Sequence, residues 1–129
     1  MSKKPLTKMI LTDDDEDILT IAKYALEPLK NVEIRFLKSG EETIAQAIDF
    51  QPDLIVLDVM MPNLDGIQTL KSIRSLPGIA HIPIVFFTAS VHRETIKNYS
   101  KIGVVDLIIK PFDAQKLPST IQNIWEKCP

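Results

Sequence analysis

Five short apolar runs alternate with segments of helical period along the whole chain, and this alternation leaves few folds open. The runs cover residues 6–12, 32–36, 54–57, 84–87 and 104–109. Between them, Ile18, Ala22, Ala25, Leu26 and Leu29 fall at helical spacing. Ile44, Ala45, Ala47 and Ile48 predict a second helix, and Ile67, Leu70 and Ile73 a third. Val91, Ile96 and Tyr99 mark a sparser fourth, and Leu117, Ile121, Ile124 and Trp125 share one face of a fifth, with Pro118 in its first turns. Right-handed crossovers put helices on both faces of a parallel sheet. The reading is therefore α/β, a doubly wound five-stranded parallel sheet of strand order 2-1-3-4-5.

Local signals agree with that order. Val32, Ile34 and Phe36 alternate with Glu33 and Arg35, as in a half-exposed edge strand, whereas residues 54–57 are apolar throughout and read as central. Ser39 followed by Glu42 reads as a capping box. Ser90 reads as the cap of the fourth helix and Gly103 as its stop. Pro62 to Gly66 is turn chemistry, Pro77-Gly78 breaks the third helix, and Pro83 opens a strand.

Polar residues close the apolar runs. Asp13, Asp14 and Asp15 follow the first, Asp58 the third, Thr88 and Ala89 the fourth, and Lys110 the last. In an open α/β sheet these ends share one edge, where ligands bind. Like-charged carboxylates at close range raise one another's pKa unless a cation intervenes. A hard, oxygen-seeking ion such as Mg²⁺ meets that need with few protein ligands. A run of three aspartates also suits a solvated helix start, by the helix dipole. Asp58 resists such a reading, because a carboxylate ending a buried strand costs desolvation unless it is paired, metal-bound or chemically used. Carboxylates also serve as nucleophiles toward phosphorus.

Composition narrows the classes. A 129-residue chain is one domain of ordinary size, and a net charge of -2 argues against nucleic-acid binding through a basic face. The one cysteine, Cys128, cannot form an internal disulfide. No apolar stretch approaches the roughly 20 residues of a membrane span. The expectation is a cytoplasmic domain without membrane insertion.

Four segments carry a family resemblance: MILTDDDEDI, PDLIVLDVMMPNLDG, IPIVFFTAS and IIKPF, in order. Together they make the chain resemble a response-regulator receiver domain over essentially its whole length, with the flavodoxin-like (βα)5 fold. The resemblance implies that Asp58 accepts a phosphoryl group from a sensor histidine kinase or histidine phosphotransfer protein. It implies Mg²⁺ (or Mn²⁺) ligated by Asp14, Asp58 and the Met60 main-chain carbonyl, with Asp13 acting largely through water. Thr88, the Ala89 amide and Lys110 would bind the phosphoryl oxygens, and the Lys110–Pro111 bond would be cis. Thr88 would move toward the new charge as the switch. Leu107 stands where the family has its aromatic switch partner, so the coupling is expected to be weaker or to run through the backbone. Met60 and Ser90 flank the pocket without a carboxylate or amide to orient water, which implies a long-lived phosphoryl state.

The expected function is a stand-alone receiver, residues 1–129, with no output domain and no enzymatic activity beyond its own phosphorylation and dephosphorylation. It would act on a downstream protein target or relay the phosphoryl group, as a monomer or a phosphorylation-dependent dimer. The alternative is a receiver-like binding module that is never phosphorylated, although all five principal site residues are kept. An aspartate-nucleophile phosphatase would want an acid at Met60, and a dinucleotide site would be repelled by Asp13, Asp14 and Asp15. His92 and His81 read as surface positions, and Trp125 as packing the last helix onto the sheet.

Overall fold

A strand that is apolar on both faces needs a helical layer on each side, and this chain supplies both. The computed structural model describes residues 4–89 and 93–128. Strands β1 (Lys8–Thr12), β2 (Glu33–Leu37), β3 (Leu54–Asp58), β4 (Ile84–Thr88) and β5 (Asp106–Ile109) alternate with helices. The helices are α1 (Glu16–Ala25), α2 (Gly40–Phe50), α3 (Gly66–Arg74), α4 (Arg93–Lys101) and α5 (Leu117–Lys127). All strand pairs are parallel, in the order β2-β1-β3-β4-β5. The expected architecture and strand order are both present.

Alternate strand residues face opposite layers. Met9, Leu11, Val56, Val85 and Phe87 pack with Leu19, Ala22, Ile121, Ile124 and Trp125 from α1 and α5. Ile10, Ile55, Leu57, Ile84 and Phe86 pack with Ala47, Phe50, Leu70, Ile73 and Tyr99 from the other helices. β3 and β4 are buried along their whole length, and β2 is the half-exposed edge. The Trp125 indole also donates to the Lys4 carbonyl at 2.9 Å, holding α5 to the segment before β1.

Several boundaries differ from the sequence reading. α1 ends at Ala25, so Leu29 lies beyond it, and the buried stripe is Leu19 and Ala22. Pro28 cannot continue the helix. β1 begins at Lys8 and β5 at Asp106, so Leu6 and Val104 belong to connections despite their apolar side chains. At Ser39 the cap is half of the expected box. Its hydroxyl accepts from the Glu42 amide, but the Glu42 carboxylate meets that hydroxyl and not the Ser39 backbone. The complete box sits at Asp65 and Gln68, inside the segment read only as a turn. Gly103 ends α4 with φ at 91°. Pro118 takes an early α5 position, where a missing N–H is harmless. Ser90, Val91 and His92 lie outside the described residues.

Candidate metal and phosphoryl site

Parallel register decides which strand ends meet. Thr12 pairs with Leu57, Asp58 with Phe87, and Thr88 with Ile109. The next residue on β1 is therefore Asp13, beside Asp58, and the next on β5 is Lys110, beside Thr88. The Lys110 amide donates to the Thr88 carbonyl at 2.9 Å, and the Lys110–Pro111 bond is cis.

Asp13 is wholly buried. Its amide donates to the Leu37 carbonyl at 3.0 Å, and its Oδ1 accepts from the Asp15 amide at 2.9 Å. Oδ2 lies 2.6 Å from Lys110 Nζ, yet it has no aligned hydrogen-bond donor among the described residues. This is an ion pair by distance that leaves a buried oxygen open to a further positive ligand. Asp58 is also buried, and its Oδ1 accepts from Lys110 Nζ at 3.1 Å. Asp14 is exposed at the rim. One carboxylate oxygen from each of Asp13, Asp14 and Asp58 lies within 4.8 Å of the others, a spacing that fits a single hard cation.

Three carboxylates therefore cluster beside one ammonium, which pairs with Asp13 and Asp58. Burial, followed by the charge of Asp13, pushes the Asp58 carboxyl up to about 7, Lys110 pulling the other way and Asp14 adding to the rise. Burial works against the Lys110 ammonium, but Asp13 and Asp58 outweigh it and hold its pKa above the ordinary lysine value. The excess negative charge is what a divalent ion would relieve.

The remaining candidates frame this cluster. Thr88 is buried at the end of β4, and Ala89 follows it at the surface. Met60 has an 80% exposed side chain between buried Val59 and Met61, so its backbone is held from both sides. Leu107 is half-buried on β5 and faces the layer that holds Tyr99, two positions from Ile109 at the pocket edge.

Two contributors escaped the sequence reading. Gly66 opens α3 directly against β3: a Cβ there would sit 2.5 Å from the Asp58 carbonyl and 2.7 Å from Val59 Cα. Its place after Pro62 and Asn63 concealed a packing role behind turn chemistry. Thr12 looked like one more strand residue, but its hydroxyl meets that of Thr43 at 2.6 Å beneath Asp13. A polar residue ending an otherwise apolar run was the available signal.

Known proteins resemble this chain in sequence and in fold. The response regulator receiver domain model matches residues 9–122. The chain is 33% identical over 120 residues to the alkaline phosphatase synthesis transcriptional regulatory protein PhoP of Bacillus subtilis, covering 93% of the chain and 49% of PhoP. It is 28% identical to the chemotaxis protein CheY of Pseudomonas aeruginosa, covering 93% of the chain and 97% of CheY. The chain thus spans about half the length of curated relatives such as PhoP, and nearly all of CheY. Among solved structures, chemotaxis response regulator CheY4 of Vibrio cholerae superposes with a TM-score of 0.83 at 25% identity, over 93% of this chain and 99% of that one. Family match, fold and strand-end constellation agree: the chain belongs to the response regulator receiver domains.

Proposed function

We propose that Asp58 is a phosphoacceptor, taking a phosphoryl group from the phosphohistidine of a sensor histidine kinase or phosphotransfer protein. A carboxylate oxygen of Asp58 attacks phosphorus, the P–N bond breaks, and the leaving imidazole takes a proton. The observation that carries this reading is Lys110 Nζ held between two buried carboxylates, 2.6 Å from Asp13 and 3.1 Å from Asp58. Structural ion pairs are seldom arranged with surplus negative charge, whereas a site awaiting a cation is.

Asp13, Asp14, Asp58 and the Met60 carbonyl would hold Mg²⁺ (or Mn²⁺). When bound, the ion supplies charge that offsets the carboxylates and the phosphoryl oxygens. Lys110 is free to follow the phosphoryl group, because a point charge on a flexible stem can leave one carboxylate for a new anion. Thr88 and the Ala89 amide stand at the neighbouring strand end to donate to the remaining oxygens. Phosphorylation brings three strong acceptors into a water-poor corner, which draws Thr88 inward. Leu107 has no hydroxyl or ring to present, so the signal reaches a protein target chiefly through backbone and packing changes near β5. The same reading holds whatever else the full protein carries.

Intact mass after incubation with acetyl phosphate tests it, with and without Mg²⁺, on wild type and Asp58→Asn. The expected result is a Mg²⁺-dependent, base-labile gain of one phosphoryl group that Asp58→Asn lacks. An adduct of equal size in the variant would overturn the assignment. No adduct in the wild type despite Mg²⁺ binding would favour a constitutive binding module.

A further inference from the structure

Beneath the acidic cluster lie two buried hydroxyls that no step of the phosphoryl chemistry uses. Thr12 and Thr43 are both fully buried, and their Oγ1 atoms are 2.6 Å apart. Thr43 Oγ1 also lies 2.8 Å from the Ser39 carbonyl, which can only accept. A hydroxyl has one proton, so Thr43 donates to Ser39 and Thr12 must donate to Thr43. The chain of bonds therefore runs from the end of β1, through α2, to the residue that caps α2.

Thr12 immediately precedes Asp13, whose amide is tied to the Leu37 carbonyl at 3.0 Å. The turn bearing Asp13 is thus held by a backbone bond to β2 and a side-chain bond to α2. We infer that Thr12 is a positioning residue that, through Thr43, fixes the Asp13 carboxylate for the cation. This inference rests on the functional reading above. A buried carboxylate offers its open oxygen to a cation only if the backbone under it cannot tilt, and partners behind metal ligands commonly govern affinity.

Two substitutions separate hydroxyl from volume. Thr12→Val keeps the shape and removes the donor, while Thr12→Ser keeps the donor and removes a methyl. Mg²⁺ affinity, measured by fluorescence or calorimetric titration, should weaken about 10-fold in Thr12→Val. Thr12→Ser should stay near wild type even where its melting temperature falls. In the metal-free protein, amide exchange at Asp13 and Asp15 should quicken in Thr12→Val, with Val85 in the sheet unchanged. Affinity that tracks melting temperature across both variants, or unaltered exchange at Asp13 and Asp15, would overturn the positioning role. A wild type that binds no Mg²⁺ overturns the functional reading instead, and the exchange pattern still decides what Thr12 holds.

Discussion

Lys110 is the residue on which the charge balance of the site turns. It sits between two buried carboxylates and has its own pKa raised by them, so it remains an ammonium through the physiological range. Removing it leaves the Asp13 and Asp58 carboxylates without their shared cation, and on the proposed function takes away the cation nearest the incoming phosphoryl oxygens. Lys110→Met keeps most of the aliphatic stem and should slow phosphoryl acceptance from acetyl phosphate on the order of 10²-fold, the scale of losing one preorganised charge donor. Stopped-flow or mass-spectrometric rates at saturating Mg²⁺ would measure it, and a change under threefold would remove Lys110 from the chemistry. The residue itself was legible from its place at the end of an apolar run. Its pairing with Asp13 was not, because β1 and β5 are separated in the sheet by two strands.

Among the elements, the entry to α3 does most to set Asp58. Asp65 accepts from the Gln68 amide at 2.8 Å, the Gln68 side chain accepts from the Asp65 amide at 3.0 Å, and Gly66 N–H donates to the Val59 carbonyl at 2.9 Å. The helix thereby starts pressed onto the last residue of β3, where a Cβ on Gly66 would overlap backbone atoms. Gly66→Ala should cost about 1–3 kcal/mol by overpacking and displace the Asp58 carbonyl. Thermal unfolding reads the first effect and Mg²⁺ titration the second. Unchanged values in both would show that the loop yields without disturbing the site. A capping box could be read from Asp65 and Gln68 alone, since both partners lie within one turn. The need for glycine beside them depends on how closely α3 approaches β3, which local sequence does not express.

For the whole molecule, two aspartates at opposite ends of the sheet give acid–base behaviour of opposite sign. At the N-terminal edge, burial alone would raise Asp53, but bonds from Lys4, Thr7 and the Lys8 amide outweigh it and hold the carboxyl below the usual range. Its stabilising contribution is present above the unfolded pKa of about 4 and is lost as pH falls through the folded value. Asp58 is the reverse. With its pKa pushed up to about 7, the folded state binds more protons than the unfolded one between about pH 4 and 7, so stability falls as pH rises through that window. The metal-free protein should melt highest at about pH 4, decline up to about pH 7, stay low toward pH 8, and recover there on adding Mg²⁺. Asp58→Asn should flatten the decline above pH 5. Melting curves in chelator across pH 4–8 test this, and a wild-type maximum at pH 8 would contradict it. The sequence alone determined the number and order of βα units, the central and edge strands, and which polar residues end them, because burial periodicity is written locally in the spacing of apolar side chains. Only the tertiary structure decided that Asp13 shares Lys110 with Asp58, that Gly66 abuts the Asp58 backbone, and that Thr12 bonds to Thr43. Those contacts join residues far apart in the chain, and strand register with helix approach, not residue type, sets their distances.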